Sequence, residues 1–506
     1  MDEASGQSDT AALARGGRTN FLGFLLRLAA RLPFLFIAGR LYGADNLGRF
    51  ASAVIVVEFA AQLATLGQKR GLAQQLARAA RPAPSIIADG LLLSLAASAL
   101  LALLLWLFPA PLFPSGEYTA VERLLPLVIF PIAAGDIALA ALAFRFDVAA
   151  TVRARSVVEP WVLSIGAGLL WFVLPRTGMI VAYFVSMVAA LVTALVPLVR
   201  SYGLPQHWSP QPLELLRQAR ENLPIAGADM VESGTRKLDL ALLGVFAPPA
   251  AVGVYYVAQQ VASLPQKLRT SFEPILGPVI TRNLAENNMA AIAKQVCQVG
   301  FWITAAQAGI ALALGIPGEA VMGLVGPNFV GGTAALAFLL LAEVVAATAV
   351  VSEAALIFIA PLRNLYISLA TIVLQVGLTI GLIGLAGDAQ WYAEHWLGVT
   401  IPPDRVPLWQ AAGAAAALML ALALASVAKA WLLAGLLRRP INNWRWALVW
   451  AAAPAAVVGW LATRLPEWAE LAVGLPAILV TYGYVIWRRG FGPEDRVLFK
   501  RQQPDT

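Results

Sequence analysis

The stretch Asn222 to Phe246, NLPIAGADMVESGTRKLDLALLGVF, is long enough to cross a bilayer and yet carries five charged residues. At 100° per residue, Asp229, Glu232, Arg236 and Asp239 fall on one side of a helix, while Lys237 points elsewhere. A charge at the centre of a membrane-spanning helix costs roughly 2.5 to 3.5 kcal/mol, so four facing lipid would cost about 10 kcal/mol or more. This face must therefore look into protein or water. Glu232 lies one turn before Arg236, the favourable order for an ion pair on a helix, and Asp239 also reaches that arginine. Two readings fit: a self-satisfied network that glues helices together, or the polar wall of a transport cavity.

Around this stretch the chain is 59% hydrophobic and only 13% charged, with a mean hydropathy of +0.73. An ordinary soluble domain carries about 25% charge. The sequence is therefore read as an all-α polytopic membrane protein. One cysteine, Cys297, excludes an internal disulfide, and with two histidines a Cys/His metal site is not expected. The net charge of +7 is explained by loops kept in the cytoplasm rather than by nucleic acid. The apolar stretch after the polar first nineteen residues is interrupted by Arg27 and Arg31. That is a poor signal peptide, so residues from Asn20 onward are read as a retained first span.

Apolar stretches bounded by Pro, Gly and charge predict about fourteen transmembrane helices. With alternate loops assigned to opposite sides, 23 of the 36 Lys and Arg residues fall on one side and four on the other. That bias puts both termini in the cytoplasm. The expected organisation is a cytoplasmic tail over 1–19, a six-helix bundle over 20–199 and a cytoplasmic linker over 200–221. A second six-helix bundle follows over 222–436, then two extra helices over 437–487 and a cytoplasmic tail over 488–506. The linker is rich in Pro and then amphipathic, and His207 is read as solvent-facing. Trp391, Tyr392, His395 and Trp396, in the outward loop 387–407, are read as an interfacial aromatic belt.

A shift of 205 residues lays Arg31 on Arg236, Leu35 on Leu240, Gly39 on Gly244, Gly48 on Gly253, Phe50 on Tyr255 and Ala53 on Ala258. Spans one and seven thus read as equivalents in a parallel repeat, giving two pseudo-symmetric bundles. Counting about 1.5 Å per residue, Arg31, Glu58 and Arg236 lie about 15 to 17 Å deep, near the midplane of a ~30 Å core. Arg27 is one turn below Arg31, Gln62 repeats that spacing from Glu58, and Asp136 adds a carboxylate on the fourth span. Lys267, Arg269 and Glu273 cluster toward the cytoplasmic end of the eighth span. Lys267, Arg269 and Lys429 are also the right length to snorkel to the interface. Glu343 and Glu353 fit either buried glue or proton carriage. Guanidinium forks match phosphate oxygens, so Arg27, Arg31, Arg236 and Lys267 are the candidate binders of an anionic group. Glu58, Asp136, Asp229, Glu232 and Asp239 are the candidate pairing or coupling carboxylates. The sequence holds no GxxxxGK[ST], HExxH or GxSxG motif. No enzyme activity or cofactor is expected, and uphill transport would draw on an ion gradient, of protons or sodium, on membrane potential or on consumption of the product.

The segment LYGADNLGRFASAVIVVEFAAQLATLGQKRGLAQQLAR, Leu41 to Arg78, resembles the start of the polysaccharide-type lipid-linked oligosaccharide flippases. There a Gly-x-x-x-x-Gly turn follows the first helix and a Leu-Gly motif opens a basic loop. LDLALLGVFAPPAAVGVYYVAQQVASLP, Leu238 to Pro265, is similar to that family's seventh and eighth helices, and IPGEAVMGLVGPNFVGG, Ile316 to Gly332, to its outward loop after helix nine. The resemblance implies the fold shared by the multidrug/oligosaccharidyl-lipid/polysaccharide exporter superfamily: two six-helix bundles around a central cavity that opens alternately to each side. It also implies a bacterial inner-membrane flippase for an undecaprenyl-diphosphate-linked oligosaccharide. Its partners would be the lipid-linked saccharide, membrane lipids, and a polymerase with export machinery. The two last helices and the length of the 387–407 loop depart from that pattern. The rivals are a multidrug-extruder-like cation antiporter, in which cavity acids would outnumber bases, and a membrane-embedded glycan polymerase or ligase.

Overall fold

A computed structural model of the protein describes residues 32–78, 81–206, 208–234, 237–269, 280–286, 288–392, 394–395, 402, 405–492 and 495, with side chains outside that description at 228, 231–233, 266–269, 390 and 392. Among the described residues there is no β-strand. Nine helical runs among them are long and apolar enough to cross a membrane. The protein is an all-α, multi-pass membrane protein. Its chain divides into two compact units, residues 1–237 with 248–253, and residues 238–247 with 254–506.

In the first unit, α1 (residues 32–42) ends in a π-helical turn over Ala38–Tyr42. Gly43, at φ +79°, lets the chain leave that axis at no steric cost. Helix α2 (Gly43–Ala64) then runs to a tight turn in which Leu66 and Gly67 both take left-handed backbone, φ 47° and 70°. This is the Leu-Gly motif of the sequence. The turn aims the short amphipathic helix α3 (Gln68–Arg78) so that Leu72 and Leu76 are buried. Helices α4 (Ala83–Leu107), α5 (Ile129–Phe144), α6 (Glu159–Trp171), α7 (Gly178–Tyr202) and α8 (Pro212–Gly234) complete the unit. Leu72 and Leu76 pack with Ile86 and Ile87 of α4, Ile137 and Leu142 of α5 and Leu198 of α7 into one core. A reciprocal Thr119–Glu122 capping arrangement, with bonds of 2.6 and 3.2 Å, starts the 3₁₀ turn that leads into α5.

The second unit holds α9 (Leu238–Phe246), α10 (Pro249–Arg269), α11 (Met289–Gly315), α12 (Thr333–Ile359), α13 (Pro361–Gly387), α14 (Val406–Leu437), α15 (Ala447–Ala462) and α16 (Leu475–Val485). The first five residues of α10 belong to the first unit. A Cβ on Gly253 would stand 2.1 Å from the Ala44 carbonyl oxygen, and one on Gly48 would stand 1.7 Å from that of Pro249. Only glycine admits this approach, and small residues are how membrane helices pack closely. Alanines do the same along α14, where Ala411, Ala414, Ala417 and Ala421 are buried. Helices α15 and α16 are held against α11 through Phe301, Ala305, Ala451, Ile478 and Tyr482.

The decisive stretch is not the single continuous helix that the spacing predicts. Its first half extends α8, which starts within the expected linker at Pro212, and its second half is α9. The register counted across the whole stretch therefore fails beyond Gly234. Lys429 also departs from expectation. Rather than snorkelling, it is buried on α14, with its Nζ 3.0 Å from Glu353 Oε2 of α12 and donating to Ser368 Oγ of α13 at 3.1 Å. Three helices close around the ammonium, and Glu353 supplies the counter-charge that burial requires.

Candidate functional site

The first unit concentrates charge on helices that the membrane would otherwise exclude. Glu58, six residues before the end of α2, accepts from Lys237 Nζ and from Tyr183 Oη of α7, the latter at 3.4 Å. Counting about 1.5 Å per residue, the pair sits about 9 Å above the end of α2. Both side chains are about one-third exposed, so the pair is not sealed in dry protein. Lys237 was set apart by the helical wheel, yet among the described residues it is the cation that reaches Glu58. It does so because it stands in the turn just before α9, where 100° bookkeeping does not apply.

A second group surrounds Asp136 of α5. Arg155 binds it through one end of the guanidinium and Glu159 through the other, at 2.9 Å. Arg155 lies in a π-helical segment, Val152–Val158, whose wider turn re-aims the side chain toward α5. Lys69 Nζ lies 3.8 Å from the far oxygen of Asp136. In a third, Arg70 Nε meets Asp229 Oδ1 of α8 at 3.1 Å, and Gln62 donates to the Asp229 carbonyl at 3.0 Å. Glycine brings α3 that close: a Cβ on Gly67 would stand 2.6 Å from the Asn222 carbonyl oxygen, and one on Gly71 2.3 Å from Asn222 Oδ1.

On α3 the cations stand outward of their carboxylates. Lys69 and Arg70 are 57% and 58% exposed, against 22% for Asp136 and 8% for Asp229. An anion approaching this surface meets the cations first.

In the second unit, Asp239 is fully buried on α9 and its Oδ2 accepts from Tyr255 Oη of α10. Its Oδ1 has no hydrogen-bond partner among the described residues. Arg27, Arg31 and Arg236 lie outside the described residues, and so do the side chains of Glu232 on α8 and of Lys267 and Arg269 on α10. Of the candidate residues, the structure thus brings Glu58, Asp136 and Asp229 into the network of the first unit and puts Asp239 on a tyrosine. Lys69, Arg70, Arg155, Tyr183, Lys237 and Tyr255 join these carboxylates without having been singled out. Lys69 and Arg70 were counted only as loop charges. The Ser233–Gly234 pair, a weak helix sequence, was the available warning that Lys237 starts a new register.

A family model described as polysaccharide biosynthesis protein matches residues 19–284. No curated protein matches the sequence. Among solved structures, the lipid II flippase MurJ in an inward closed conformation aligns with a TM-score of 0.65 at 11% identity, covering 94% of this chain and 99% of that one. An inward-facing multidrug resistance MATE family transporter of the MOP superfamily aligns at 0.60 with 15% identity, covering 82% and 96%. A MOP superfamily transporter from Pyrococcus furiosus, described as having a binding pocket of reversed polarity, aligns at 0.54 with 16% identity, covering 84% and 96%. At these identities the likeness establishes the fold.

Proposed function

We propose that this chain, which belongs to the polysaccharide biosynthesis protein family, is a flippase that carries an undecaprenyl-diphosphate-linked oligosaccharide outward across the bacterial inner membrane by alternating access. The observation that supports this reading is the set of partly exposed cations on the first unit, Lys69, Arg70 and Lys237, each paired with a carboxylate. A charge within a span, as at Glu58 and its partner Lys237, is expensive unless it meets water, protein or a ligand. Cations placed outermost favour an anionic ligand and disfavour an organic cation.

In this reading Arg27, Arg31, Arg236 and Lys267 hold the diphosphate, and the saccharide crosses in water while the prenyl tail stays in lipid. Glu58, Asp136, Asp229, Glu232 and Asp239 neutralise the cations between cycles, which lowers the cost of returning empty. About fourteen spans in two six-helix bundles with two added helices, and both termini in the cytoplasm, complete the proposal. A proton or sodium gradient supplies the drive, and a polymerase with export machinery consumes the product.

Polymer export in cells lacking the native protein tests the assigned residues. Arg31→Ala and Arg236→Ala proteins, present at wild-type levels, are expected to cut export at least about tenfold, the loss that accompanies removal of a charged hydrogen-bond donor worth about 1.5 to 3 kcal/mol. Full export by both would remove their roles. Resistance to cationic drugs on overexpression would favour the extruder instead.

A further inference from the structure

We infer that Lys69 and Arg70, at the start of α3, form a loading station that holds the diphosphate of the lipid carrier before it reaches the deeper residues. The inference rests on the transport reading above and adds to it a subsite on the first unit.

Helix α3 has two chemically distinct sides. Gln68, Gly71, Leu72 and Leu76 are buried, whereas Lys69, Arg70, Ala73, Gln74, Ala77 and Arg78 are exposed. The exposed side has no acid and no side chain larger than alanine that is apolar. A helix that inserts into a bilayer surface presents Trp, Phe or Leu beside its basic residues, and this one presents none. Its outer face is built for charge.

The two residues are also held in place. The left-handed turn at Leu66 and Gly67 fixes where α3 begins, and the approach of Gly67 and Gly71 to Asn222 fixes it against α8. Lys69 then leans on Asp136 of α5, and Arg70 on Asp229 of α8. The Lys69 pair, at 3.8 Å, is beyond hydrogen-bond length, and more than half of each cationic side chain faces out. The carboxylates keep the cations aimed while lying behind them.

A guanidinium fork beside an ammonium suits a group with several oxygens in two adjacent phosphates. A multiply charged diphosphate gains more from two fixed cations than a singly charged phosphodiester headgroup does.

The test is saturation kinetics of leaflet transfer in proteoliposomes with a fluorescent prenyl-diphosphate saccharide. Lys69→Gln/Arg70→Gln is expected to raise KM about tenfold and to leave the saturating rate within about twofold of wild type, the effect of removing two partly exposed charge contacts. The charge-keeping Lys69→Arg/Arg70→Lys protein restores KM to within about threefold of wild type. Lys69→Gln alone, whose pair is the looser, raises KM about threefold and guards against misfolding of the double variant. An unchanged KM in the double variant, with wild type active, overturns the station and leaves the flippase reading standing. So does a fall in the saturating rate with KM constant, which marks a structural role. Displacement of the probe from wild type by phosphatidylglycerol as effective as by unlabelled diphosphate would reduce the station to a general anionic-lipid contact. Absence of any transfer by wild type removes the transport reading itself.

Discussion

Lys237 carries more of the account than any residue the helical wheel selected. Among the described residues it is the cation paired with Glu58. Lys237→Ala is expected to slow transfer of the diphosphate-linked saccharide at least about tenfold while lowering stability by less than about 1 kcal/mol, because a half-exposed pair contributes little to folding. Transfer rate and thermal midpoint on the same preparation separate the two effects. Tyr255→Phe should behave in the opposite way. It leaves Asp239, fully buried, without its hydroxyl donor and is expected to destabilise by about 1 to 3 kcal/mol. Gly48→Ala would push a Cβ to 1.7 Å from the Pro249 carbonyl oxygen. The backbone must yield, at about 1 to 3 kcal/mol, read as a lower unfolding midpoint of the purified protein. The residue types of the site were legible in the sequence, since charges on apolar helices stand out. Their pairing was not, because Lys237 and Glu58 lie far apart in the chain and meet only once α2 and the turn before α9 are packed.

At the scale of elements, the sequence shows most where packing needs small residues. The Gly48 and Gly253 matched by the 205-residue shift are the glycines at the close approach of α2 and α10. The same shift carries Phe34 onto Asp239 and Phe50 onto Tyr255. Phe34 and Phe50 meet ring to ring at 5.7 Å in the first unit, and Asp239 and Tyr255 are bonded in the second. The α8 to α9 segment was misread as one helix because hydropathy does not distinguish one long span from two helices in sequence. The last helices have their own clamp. Asp495 accepts from Arg445 at 2.7 Å, the Gly492 amide at 2.9 Å, Trp302 of α11 at 2.9 Å and Gln298 at 3.1 Å. Burial alone would raise the Asp495 pKa, but the donors led by Arg445 outweigh it and hold the carboxyl below its ordinary value. A depressed acid stabilises the fold above its unfolded pKa of about 3.9. That contribution fades as pH falls through the lower, folded value. Acid unfolding followed from a tryptophan signal is therefore expected to begin at higher pH in wild type than in Asp495→Asn measured relative to its own neutral-pH stability, whose midpoint should lose this part of the acid dependence.

For the whole molecule, composition alone excluded a soluble enzyme, and the helix pattern gave a multi-pass membrane fold. The structural likeness to MurJ and MATE transporters extends over most of the chain. What the sequence leaves open is the ligand, because family membership and fold do not specify the cargo. On α3 the cations stand in front of their carboxylates. The measurement that bears most directly on this is leaflet-to-leaflet transfer, in one set of proteoliposomes, of a prenyl-diphosphate saccharide beside the same saccharide on a neutral prenyl ether. The account predicts that only the diphosphate form is carried and that Lys237→Ala abolishes the difference; equal transfer of both forms by the wild-type protein would contradict it.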